Sequence, residues 1–270
     1  MKLVRAVSCW ANEATPLEAL QLADAWGFEA VEGQLPADFS QPAQYAGKSL
    51  IVEIATGCPA GIYVPSLHVT PAEHLEDFRR KLDAALPLSP IRITALAGAD
   101  FWDFSTTCRF FTELLEITKS AGTQVCVETH RSRPTFHPLR TARLLAELPE
   151  LTLTLDVSHW CVVCERAVAA IPEWMGPIEC RVGHIHARVG YDQGPQVPDP
   201  RSPLHRDDLA SHLACWKRIA AMHDSFTVTP EFGPDGYLHI DPRTGTPLAD
   251  LRELNRWMGD TLKREFGNSV

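Results

Sequence analysis

The chain has 270 residues and a mass of 29.9 kDa, a length that one α/β barrel of about 250 residues or two smaller domains would fill. Hydrophobic residues at 45% and charged residues at 22% exclude a disordered, collagenous or coiled-coil chain. The balance of 25 Lys+Arg against 34 Asp+Glu, a formal −9, argues against nucleic acid and anionic membrane as partners.

The first apolar run, Leu3 to Ser8, is too short and interrupted for a secretory signal, and nowhere do about 18 apolar residues run together. A cytoplasmic location is therefore expected. That run is the first of eight strand-like segments. Phe28 to Glu32, Leu50 to Ala55 and Arg92 to Leu96 complete the first half; Gln124 to Thr129, Leu151 to Asp156, Val182 to Ala187 and Phe226 to Glu231 make the second. Amphipathic segments separate many of them, at Pro16 to Trp26, Pro71 to Leu86, Phe104 to Ala121, Leu139 to Leu148 and Leu209 to Met222, with Leu248 to Phe266 at the end. Thr15-Pro16 and Thr70-Pro71 each place an N-cap residue before a proline at the first helical position. Gly27 and Gly122 stand where helices should end.

Strands alternating with helices predict parallel pairing, and eight units match a closed (β/α)8 TIM barrel occupying residues 1–270 as a single domain. An open doubly wound sheet would want a glycine-rich phosphate turn after its first strand, whereas Ser8 is followed by Cys-Trp-Ala-Asn-Glu. The eight cysteines read as reduced thiols. Cys161 and Cys164 have the spacing of half a zinc ribbon, but no second pair completes it, so both are expected to pack. Gly190 to Arg206 is too long and proline-rich for an ordinary turn and reads as an active-site loop over the barrel mouth. No Gly-x-Ser-x-Gly elbow and no phosphate-binding P-loop is present.

In such barrels the chemistry collects at the C-terminal ends of the strands. Four successive segments end in polar groups there: Glu128-Thr129-His130-Arg131, Asp156-Val157-Ser158-His159, His184-Ile185-His186-Ala187-Arg188, and Glu231 in Pro230-Glu231-Phe232-Gly233. Three carboxylates and an imidazole suit one divalent ion, with Mn, Mg or Co favoured and Zn allowed. Buried carboxylates without a counter-charge are costly, which also favours a bound cation.

This pattern resembles the xylose isomerase-like TIM barrel superfamily, which includes sugar and sugar-phosphate isomerases and epimerases, inosose dehydratases and endonuclease IV relatives. The resemblance implies Glu128, Asp156, His186 and Glu231 as metal ligands, Glu128 and Glu231 also as the catalytic pair, and His159 as a substrate contact. His186 is preferred to His184 because it lies two residues nearer the mouth on the same side of its strand. Arg188, His130 and Glu32 are further candidates for substrate binding, with Arg131 beside them. His68, His74, His205, His212, His223 and His239 read as solvated or capping residues. Trp10, Trp102 and Trp160, just past strand ends, are candidates for apolar walls over a sugar ring.

The departures matter too. The epimerase pattern carries a second glutamate six residues after the first ligand and an arginine six residues after the ligand histidine; here Pro134 and Asp192 stand in those places. The extra histidines of endonuclease IV are missing, which argues against a nuclease. The resemblance implies a metal-dependent isomerase or epimerase working on a small sugar-like ketone through an enediolate. An inosose-type dehydratase and a catalytically silent sugar-binding barrel are the alternatives; homo-oligomerisation is left open.

Overall fold

The computed structural model describes residues 1–267 apart from 37, 60, 61 and 235. Eight parallel strands close into a ring in sequence order: β1 (Lys2–Ser8), β2 (Ala30–Gly33), β3 (Ser49–Ala55), β4 (Arg92–Leu96), β5 (Gln124–Glu128), β6 (Thr152–Leu155), β7 (Val182–Ala187) and β8 (Ser225–Pro230). Pairing of β1 with β8, Val4 opposite Thr227, shuts the barrel. This is the (β/α)8 TIM barrel architecture.

The helices are α1 (Pro16–Trp26), α2 (Pro71–Ala85), α3 (Phe104–Thr118), α4 (Pro138–Glu147), α5 (Val157–Cys164), α6 (Pro172–Glu179), α7 (Arg206–Ala220) and α8 (Leu251–Gly267). Thr15 and Thr70 form capping boxes with Glu18 and Glu73, and proline opens both helices. Gly27 ends α1 in the left-handed conformation, φ +66°.

Two units depart from strict alternation. Between β2 and β3 the chain forms only a 3-10 turn at Ala43–Tyr45, because Pro36 and Pro42 interrupt any longer helix. Between β6 and β7 there are instead two short helices, α5 and α6, which the sequence pattern did not distinguish. Residues 157–161 of α5 are all buried, so the segment lacks the polar face that marks an amphipathic helix. Cys161 is buried and Cys164 packs against the core; neither belongs to a ligand cluster among the described residues.

The main core lies between the sheet and the helices. Inside the barrel, Val4, Ala6, Ala30 and Ile51 form a small apolar plug. Next comes a polar layer in which Glu32 of β2 joins Thr94 of β4, His184 of β7 and Thr229 of β8 across the interior. The inward positions that follow on β5 to β8 carry the strand-end groups. Among the described residues, no helix is long and apolar enough to cross a membrane.

Candidate active site

Glu128 ends β5, Asp156 caps α5 after β6, His186 lies on β7 and Glu231 follows β8. One potential donor atom from each of the four falls within 4.8 Å of the others, and all four side chains are buried. His186 Nδ1 is 3.1 Å from Glu231 Oε2 and 3.6 Å from Glu128 Oε1. Asp156 has two structural duties as well: its Oδ1 accepts from the Ser158 backbone N–H at 2.9 Å, and its Oδ2 pairs with Arg188.

The layer below determines how His186 is presented. Glu32 accepts from His186 Nε2 at 3.1 Å, His184 Nε2 at 3.0 Å, Thr94 Oγ1 at 2.7 Å and Thr229 Oγ1. Burial alone would raise its pKa, but the two histidines more than offset this and hold it well below the ordinary carboxylate value. With Nε2 committed to Glu32, a neutral His186 turns the lone pair of Nδ1 toward Glu128 and Glu231. That nitrogen is buried and has no hydrogen-bond partner among the described residues. A lone pair and three carboxylates converging on one buried point form a donor set that fits a hard or borderline divalent cation, and the Glu32–His186 contact supplies the outer support usual for a histidine ligand. Arg188 contributes only one positive charge against these three carboxylates.

Burial, reinforced by Glu231 and Asp156, pushes Glu128 up to about 7 despite the opposing pull of His186. Asp156 is raised by burial, with Arg188 opposing. Burial lowers His186, but the charges of Glu231, Glu32 and Glu128 carry its pKa well above the usual imidazole range, so proton and cation compete for Nδ1.

Above the cluster opens a cavity of about 980 Å³. Glu128, Glu231, His130 and Arg188 reach its wall, together with Trp10, Tyr63 and Tyr237. Arg188 is held by Ser158 Oγ at 3.1 Å and His159 Nε2 at 3.0 Å, and its guanidinium lies 4.4 Å from the Tyr237 ring centre. Its Nη1 has no hydrogen-bond partner among the described residues. The Trp10 ring crosses Gly233, where a Cβ would stand 2.0 Å from it; only glycine fits.

Several expectations need correction. Glu32 is fully buried, accepts from four donors and lies off the cavity wall, a place that supports His186 and not one that faces a substrate. His159 is fully buried too and lies off the cavity wall, against Arg188 and 4.0 Å from the His130 ring centre. Burial, then nearby cationic groups, lowers His159 and His130 well below the ordinary histidine value, so both stay neutral. His184 lies deeper, bonded to Glu32 and to Thr227 Oγ1 at 2.7 Å. Of the three tryptophans only Trp10 lines the cavity; Trp102 and Trp160 are core residues.

Residues 190–206 do not cover the mouth, and none lines the cavity. The segment is tied sideways: Gln196 Oε1 accepts from Gly233 N–H at 2.8 Å, and Gln196 Nε2 donates to Tyr237 O at 3.2 Å. His74 and His212 are buried, not solvated. Glu53, inside β3 and not at its end, is absent from the candidates that strand ends suggest, yet it lines the cavity. Its signal was a lone carboxylate inside an otherwise apolar strand.

No family model matches the sequence, and no curated protein matches it. Solved structures do match in fold. The IOLI protein with a binding zinc atom is similar at TM-score 0.68 and 14% identity over 100% of both chains. D-allulose 3-epimerase from Methylomonas sp., in complex with D-allulose, gives 0.60 and 16% over 98% of this chain and 97% of that one. A xylose isomerase-like TIM barrel protein from Mycobacterium smegmatis in complex with magnesium gives 0.62 and 12% over 97% of each. The chain thus has the fold of the xylose isomerase-like TIM barrel proteins.

Proposed function

We propose that this fold serves here as a divalent-metal-dependent isomerase or epimerase of a sugar, sugar phosphate or related ketone, moving a proton at the carbon beside the carbonyl. The observation that carries the reading is the convergence of Glu128, Asp156, Glu231 and the unpartnered Nδ1 of His186 within 4.8 Å. These four residues would hold the ion. When bound, a divalent ion lends positive charge to the carbonyl and neighbouring hydroxyl oxygens and so acidifies the C–H between or beside them. The zinc and magnesium in two structures of similar fold support a divalent ion without selecting one.

The chain's own groups move the proton. Glu128 and Glu231 reach the cavity from β5 and from the end of β8, so they approach a substrate from different sides. A carboxylate of Glu128 or Glu231 accepts the proton as general base and returns it as general acid. Arg188 would donate to the oxygen that gains negative charge, while neutral His159, accepting from Arg188, positions it. Trp10 and Tyr237 pack edge to face with ring centres 5.5 Å apart and supply an apolar wall beside the reacting carbons.

The test combines metal analysis with a screen for solvent deuterium uptake by ketoses, their phosphates and inososes. The reading expects about one divalent ion per chain, weakened as pH falls and the ligands protonate, and deuterium at the carbon beside the carbonyl. Loss of water from an inosose would turn the reading to a dehydratase. Metal-free protein without exchange would overturn it and leave a binding barrel.

A further inference from the structure

On the opposite side of the ring from β7, Glu53 of β3 projects into the same cavity. Among the described residues nothing hydrogen-bonds or ion-pairs with its carboxyl, although the side chain is half-buried. Its surroundings are unfavourable to a charge: burial, then the negative charges of Glu32, Glu231 and Glu128, raise its pKa well above the ordinary value. The Cys9 thiol is close enough to feel it, being pushed up to about 12 by burial and then by Glu53. A carboxyl without a partner contributes nothing to the fold at this position, where an apolar residue would suit the surrounding strand better.

The two positions at which the epimerase pattern carries a glutamate and an arginine offer no group to the cavity in this chain. Pro134 is buried beside Gly98, Asp192 is exposed on the 190–206 segment, and neither lines the cavity. Of the other charged groups on the wall, Asp77, Arg80 and Lys81 pair with one another, whereas Glu53 has no partner among the described residues and is near enough to Glu128 and Glu231 to feel their charges. A carboxyl in either protonation state can bond hydroxyl groups, since the acid both donates and accepts and the anion accepts twice.

We propose that Glu53 grips hydroxyl groups of the substrate on the side of the cavity facing β7, and so selects a polyhydroxy compound. This deepens the isomerase reading and rests on it. The probe is D-sorbitol, which carries the hydroxyls and no carbonyl, titrated by ligand-observed NMR into zinc-loaded wild type, Glu53→Gln and Glu53→Leu. Metal content and melting temperature are measured alongside. The wild type should bind; Glu53→Leu should weaken binding about tenfold or more, and Glu53→Gln, which keeps hydrogen-bonding atoms, by about threefold or less. Metal content should hold in both variants, and the Leu variant should melt no lower than wild type. Absence of sorbitol binding by wild type, equal binding by Glu53→Leu, or a lowered melting temperature in Glu53→Gln at full metal content would overturn the role. A wild type that takes up no metal or exchanges no deuterium counts against the isomerase reading instead, and is scored separately from the sorbitol comparison.

Discussion

The buried carboxylate of Glu32 illustrates how a residue's task depends on partners far away in sequence. At the end of a short apolar run it reads from sequence as a candidate substrate contact; only closure of the barrel brings His184, His186, Thr94 and Thr229 onto it. Glu32→Gln would turn an amide N–H₂ toward those donors and free His186 to rotate. Affinity for the divalent ion should fall about 10- to 100-fold, measured by competition with a chelator, while Asp156→Ala or His186→Ala should abolish binding. At the next level, Glu128→Gln and Glu231→Gln should each lose ~10²–10⁴ in turnover if both carboxylates shuttle protons. Exchange kept toward one epimer only in each variant indicates two bases on opposite faces, and exchange lost in one variant but intact in the other, at full metal content, indicates a single base. The four clustered residues were legible because each ends or follows an apolar strand with a polar side chain. Glu53 escaped notice because it interrupts a strand instead of ending one.

Elements with a local signature were read closely. The Thr-Pro starts of α1 and α2 act within a few residues and so survive any tertiary context. Helix α5 and the 190–206 segment carry no such local signature, since their conformation depends on burial supplied by distant chain. His212 of α7 anchors the start of that segment: its Nδ1 donates to Asp208 O at 2.8 Å and its Nε2 accepts from Gly190 N–H at 3.2 Å. The bond from Gly190 requires the neutral ring, whose Nε2 alone can accept, and burial lowers its pKa from 6.5 to about 4. Because the unfolded chain takes up the proton first, this group's contribution is complete above about pH 6.5 and is lost as pH falls toward 4. Urea unfolding at pH 7 and pH 5 should show wild type losing about 2 kcal/mol more than His212→Leu over that interval. Gln196→Ala should cost about 1–3 kcal/mol at neutral pH, by leaving the buried Gly233 N–H unpaired.

For the molecule as a whole, eight apolar runs in about 270 residues were enough to indicate a closed ring, because an even series of parallel strands with crossover connections has few other ways to bury both faces. The ring is not evenly armoured, however. Among the described residues the crossover from β2 to β3 adds only a 3-10 turn, so that Phe39 and Tyr45 pack beside the α1 residues Ala19, Leu20 and Ala23 where other crossovers supply a full helix, and β2 pairs through just four residues. Amide protons of β2 and of the adjoining edge of β3 should therefore exchange with deuterated solvent faster than those of β7 and β8, by local opening without global unfolding. Since Glu32 rides on β2 and reaches His186 across the interior, loading a divalent ion should slow exchange in β2 as well as in the strands that carry the ligands. Mass spectrometry of peptides covering residues 28–35 would detect this protection, or its absence, at a strand that touches no ion.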